Sequence, residues 1–79
     1  MAKIFYLGSS GSENPTKSVF PFLLANGAVE AGHQAEISLF GDAVVLMKDE
    51  VANSVVPVGW PPFKEILATT IKHEIPIYV

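Results

Sequence analysis

Within its first fifteen residues the chain passes from the apolar stretch Lys3-Ile4-Phe5-Tyr6-Leu7 through Gly8-Ser9-Ser10-Gly11-Ser12 to Asn14-Pro15. The first stretch suits a buried strand, and the small residues suit an exposed turn. Asn14 can accept from free helix amides, and Pro15 at a first helical position has no N–H to leave unpaired. Strand, loop and helix start are thus fixed early in the chain.

A helix is expected from about Pro15 to Ala31. Its apolar residues Val19, Phe20, Phe22, Leu23, Leu24, Ala28 and Val29 spread too widely for one stripe, which predicts cover on both faces. Pro21 interrupts the pattern and predicts a kink, or a helix whose first turn begins near Ser18. Gly32 suits a left-handed cap. Gln34 to Phe40 alternates Ala35, Ile37 and Leu39 with Glu36 and Ser38, the pattern of a half-buried strand closed by Gly41-Asp42. Ala43 to Val51 fits a strand or a short helix on propensity; Asp42 as a cap and Lys48-Asp49-Glu50 as a polar side favour the helix. Asn53 to Gly59 reads as a connection, and Trp60-Pro61-Pro62-Phe63 as a rigid turn. A helix from about Pro62 to His73 follows, with Phe63, Ile66, Leu67, Thr70 and Ile71 on one face. Ile75 to Val79 is of strand type and has no polar tail, which predicts a single domain over 1–79 that stops partway through a larger one.

Three strands separated by helices predict an α/β fold with a parallel sheet and right-handed crossovers. With the first strand central, the strand order reverses around it, and ligands bind such sheets at the carboxyl ends beside that switch point. The lining would be Gly8 to Asn14 with Gly41 and Asp42.

Composition narrows the partners. Hydrophobic residues make up 49% and charged residues 16% of the chain, apolar for so small a domain, so some surface is expected to meet another chain. The stretch from Val19 to Val29, broken by Pro21, Asn26 and Gly27, is too short to cross a bilayer, which needs about 20 residues. No secretory cleavage pattern follows Met-Ala-Lys-Ile-Phe, so a cytoplasmic location is expected. Net charge is −3, and Lys3, Lys17, Lys48, Lys64 and Lys72 are scattered with no arginine, which disfavours nucleic acid. There is no cysteine for a disulfide, a thiolate nucleophile or a thiolate-ligated metal.

The order of these segments resembles the DsrE/DsrF-like (YchN-like) family of small α/β proteins. The residues that carry the resemblance are Ile4 to Ser12, the helix ending Ala31-Gly32-His33, Ser38-Leu39-Phe40-Gly41-Asp42-Ala43-Val44, Val58-Gly59-Trp60-Pro61-Pro62, and Ile75 to Val79. The resemblance implies a three-layer flavodoxin-like parallel sheet, incomplete at the C-terminus, and assembly into trimers or hexamers. It also implies, in members that carry the cysteine, persulfide relay with a partner protein. In many members that cysteine follows the strand corresponding to Ile75 to Val79; no residue of this chain corresponds to it.

The candidate ligand-binding residues are Gly8, Ser9, Ser10, Gly11, Asn14, Gly41, Asp42 and Trp60. The loop from Gly8 to Ser12 offers amides and hydroxyls to an anion, or serves simply as turn chemistry. Gly11 to Ser18 matches a P-loop except that Thr16 replaces the second glycine, and Pro15 deletes an amide. The same small-residue content is similar to a flavodoxin phosphate loop, which keeps flavin as an alternative, although no cofactor is assigned. Asp42 is a pocket acid or a helix cap, and Trp60 walls the crevice, anchors a subunit contact or fills a satellite core. His33 and His73 precede strands and so belong at the opposite edge of the sheet. No nucleophile or metal site is evident, and whether the chain is an enzyme stays open. A persulfide carrier or small-ligand-binding oligomer is the leading expectation, with a non-catalytic binding or assembly subunit as the alternative.

Overall fold

Strands β1 (Lys3–Gly8), β2 (Gln34–Leu39) and β3 (Ile77–Tyr78) form an all-parallel sheet in the computed structural model, which describes residues 2–79. Four α-helices connect them: α1 (Pro15–Ser18), α2 (Phe20–Glu30), α3 (Asp49–Ala52) and α4 (Phe63–Lys72), with a 3-10 helix over Gly41–Met47. The α/β class and the parallel sheet agree with the sequence reading.

The strand order does not. It is β1-β2-β3, so β2 is central and β1 is an edge, where the sequence reading placed β1 centrally. Alternate residues of β2 serve its two neighbours. Gln34 and Phe40 donate their N–H groups to the carbonyls of Ala2 and Gly8 on one side, and Ile37 donates to the carbonyl of Pro76 on the other. With right-handed crossovers, a sheet that grows in one direction keeps all its connecting helices on one face, whereas a reversal would place them on two. Accordingly α2 packs on β1 and β2, and α4 packs on α2. The core is one cluster on that side, with Val19, Phe22 and Ala25 of α2 and Phe63 and Ile66 of α4 against Ala35, Ile37 and Leu39 of β2. Phe22 and Phe63 meet edge to face at 4.8 Å and 73° between ring planes, a favoured aromatic geometry. On the other face Phe5 is 58% and Leu7 65% exposed, and Phe40 and Tyr78 are exposed beside them.

The expected long helix breaks at Val19, whose backbone caps α2 and leaves Pro21 in the first turn, where its missing N–H removes no bond. Its outer face is not covered: Phe20 and Leu24 are exposed, which corrects the expectation drawn from their spread. Gly32, at φ +93°, ends α2 with paired bonds, its own N–H to Val29 and that of His33 to Ala28, the double closure of a Schellman motif.

The segment after β2 is helical but tighter than expected. In the 3-10 helix, with three residues per turn, Ala43 and Leu46 share the buried side and Val44 and Met47 the exposed one. Its N-cap is Phe40, so Asp42 falls in the first turn and makes no capping bond. In α4 the residues Phe63, Ile66 and Thr70 are buried and Leu67 half-buried, but Ile71, rotated about 100° beyond Thr70, is 63% exposed.

Candidate functional site

The carboxyl end of β1 opens into a depression of about 250 Å³ between the strand and the start of α2. Its polar wall is Ser9, Ser10 and Lys17; its apolar wall is Leu7, Phe20, Pro21 and Leu24. Gly8 forms the floor. Its carbonyl is held by the Phe40 N–H at 2.9 Å, and a Cβ there would press on the side chains of Leu39 at 3.0 Å and Pro21 at 3.2 Å. Strand geometry thus delivers Ser9 and Ser10 to the mouth.

The rest of the loop is tied to itself. Gly11 donates its N–H to Glu13 Oε1 at 2.7 Å and accepts from the Asn14 N–H at 3.1 Å. Asn14 Oδ1 in turn accepts from the Lys17 N–H at 3.1 Å, the capping bond that its position before Pro15 predicts. An anion approaching the Gly11 amide would have to displace the chain's own carboxylate, so the amides expected to cradle phosphate are partly engaged. Gly11 is also buried against the loop after β2, where a Cβ would collide with the Asp42 carbonyl. The two loops expected to line one crevice therefore touch, but through backbone, and the Asp42 side chain is exposed. Gly41, at φ +55°, supplies the left-handed turn that starts the 3-10 helix, and nothing lies within 4 Å of where its Cβ would be.

Trp60 lies elsewhere, 51% exposed over a second depression of about 370 Å³ lined by Phe20, Leu23, Leu24 and Trp60 alone. Phe20 and Leu24 border both depressions, so the two meet along the outer face of α2. The connection that carries Trp60 is fastened to α1 by a bond from the Val58 N–H to Thr16 Oγ1 at 3.0 Å. The outcome is an apolar trough with hydroxyls and one ammonium at an end, and no ion pair engages Lys17 among the described residues.

Of the expected site residues, Gly8, Ser9 and Ser10 line one mouth, and Trp60 lines the adjoining trough. Gly11, Asn14, Gly41 and Asp42 shape the loops around them. Sequence reasoning missed Lys17, Phe20 and Leu24 as site residues. Lys17 did stand at the lysine position of the imperfect P-loop match, and Phe20 and Leu24 are one helical turn apart; both were signals. His33 and His73 are at the opposite edge as expected. The His33 Nδ1 accepts from the Ala2 N–H at 3.0 Å, and the His73 Nε2 lies 3.2 Å from Glu30 Oε2. Comparison with protein-family models, with characterised proteins and with solved structures found no match to this chain.

Proposed function

We propose that the chain is a non-catalytic binding module for an amphiphilic anion, a carboxylate or phosphate head carried on a short apolar tail. The observation that carries this reading is Lys17, with the Ser9 and Ser10 hydroxyls, at the end of the trough formed by Phe20, Leu24 and Trp60. The ammonium attracts the head by charge, and the hydroxyls can donate to it. The tail displaces water from exposed Phe20 and Leu24, worth about 25 cal/mol per Å² covered. An open site without enclosure binds weakly, because ordering the ligand offsets much of that gain.

This is the small-ligand-binding half of the DsrE-like reading. Persulfide relay requires a thiolate, and with no cysteine in the chain the thiol would come from a partner. The three-layer flavodoxin-like arrangement would in the same way require a cover over Phe5, Leu7, Phe40 and Tyr78.

Trp60 is the only tryptophan, so its fluorescence reports directly on the trough. Titration with octanoate or octyl phosphate is expected to give a saturable change, with octanol binding at least tenfold more weakly. Lys17→Gln should weaken octanoate about tenfold, the worth of one charge-assisted bond. No saturable change in the low millimolar range, or equal binding by Lys17→Gln, overturns the reading.

A further inference from the structure

The edge of β1 away from β2 pairs with no other strand among the described residues. Gln34 of β2 and Phe40 just after it donate to the carbonyls of Ala2 and Gly8, so the even residues of β1 point their backbone groups at β2. By alternation the odd residues Lys3, Phe5 and Leu7 point their N–H and C=O groups outward, where no strand among the described residues pairs with them. We propose that two molecules join through this edge, β1 antiparallel to β1 about a two-fold axis at Phe5, to form a six-stranded sheet. This goes beyond the ligand-binding reading and does not rest on it.

The register follows from the symmetry. Phe5 faces the partner's Phe5, and Lys3 faces the partner's Leu7, so every outward N–H and C=O of the three residues finds a partner in a hydrogen-bonded pair. Ile4 falls beside the partner's Tyr6 on the helical side. These two side chains point toward the core yet are only half-buried, with no strand beyond β1 among the described residues to cover them. Below the sheet the exposed Phe5 and Leu7 of both copies come together.

Charge permits the same pairing. The Lys3 ammonium is held by Glu36 of its own molecule at 2.9 Å, so the one charged side chain of the edge is neutralised and faces an apolar residue across the axis. Of the eight acidic residues only Glu36 is on a strand, so the net charge of −3 lies away from the junction. Natural edge strands that stay unpaired are guarded by proline, bulges, inward charges or edge lysines; β1 carries only the last, Lys3, and its charge is held by Glu36.

Sedimentation of the full chain from about 10 to 500 µM is expected to show a species of twice the 8.5 kDa of the single chain. Oxidation tests the geometry without interference, since the chain has no cysteine. Phe5→Cys should cross-link, because Cα atoms in such a pair are about 5.5 Å apart, within disulfide range. Phe40→Cys, exposed just beyond the end of the central strand, should not. In the unaltered chain the Lys3, Phe5 and Leu7 amides should exchange slowly when concentrated and rapidly on dilution. A monomer throughout, a dimer whose Phe5→Cys stays reduced, cross-linking through Phe40→Cys instead, or exchange that ignores concentration each overturns the proposal.

Discussion

Thr70 shows how one buried polar side chain ties two helices. Its hydroxyl lies 2.9 Å from Asn26 Oδ1 and 3.1 Å from the Ile66 carbonyl, while Asn26 Nδ2 donates to that carbonyl at 3.3 Å. Both side chains are buried, so each donor and acceptor depends on the others. Thr70→Val keeps the shape but leaves Asn26 Oδ1 without a donor. It should lower stability by about 1–2 kcal/mol, read from urea denaturation midpoints at unchanged slope. Lys3 gives an effect of opposite character, exposed and electrostatic. The hydrogen bond to Glu36 and the charge of that carboxylate hold its ammonium above the usual lysine value of 10.5. A folded-state value above the unfolded one stabilises while both states are protonated, and the benefit is lost as pH rises through the folded value. Lys3→Gln should therefore be less stable than the natural chain near pH 8, with the gap closing above pH 10.5. A gap that widens in alkali contradicts the pairing. Neither effect was legible beforehand, because Asn26 and Thr70 are 44 residues apart and Lys3 and Glu36 meet only through strand pairing.

Among the elements, the end of α2 was readable from local chemistry. Gly32 occupies a left-handed conformation that any Cβ strains, while nothing lies within 4 Å of where a Cβ would stand. Gly32→Ala should thus cost about 1 kcal/mol from backbone strain alone, without a steric term, and thermal unfolding should shift by several degrees. The break at Val19 was readable for the same reason, since Pro21 tolerates only a first turn. The 3-10 helix was not. A cap at Asp42 and a start at Gly41 are both acceptable to the local sequence, and burial of Ala43 and Leu46 at a spacing of three selects the second. The exposed face of α2 was hidden likewise, since Phe20 and Leu24 look like core residues until the packing of α2 shows them exposed.

At the scale of the whole molecule, the Cα radius of gyration is 11.5 Å, as expected of a compact chain of this length, so the open sheet face does not reflect loose packing. If the β1 edges pair, stability acquires a concentration dependence. A hundredfold rise in concentration should raise Tm by about 5 °C or more, and Phe5→Lys, which sets two lysines opposite each other, should abolish that rise. The candidate site depends on this scale as well. Gly8, Ser9 and Ser10 could be read from a strand running into a small-residue loop, but Lys17, Phe20 and Trp60 join them only because α2 lies over β1 and Thr16 holds the Trp60 connection. By itself the sequence determined the three strands, the parallel α/β class and the caps at Asn14 and Gly32, since periodicity, proline and glycine act within a few residues. Strand order and the faces left bare were decided by the tertiary structure. Order depends on whether β3 joins the free edge of β1 or the free edge of β2, a choice that no local pattern in the strands decides, and once β3 takes the edge of β2 away from β1 the handed crossovers keep the helices on one side.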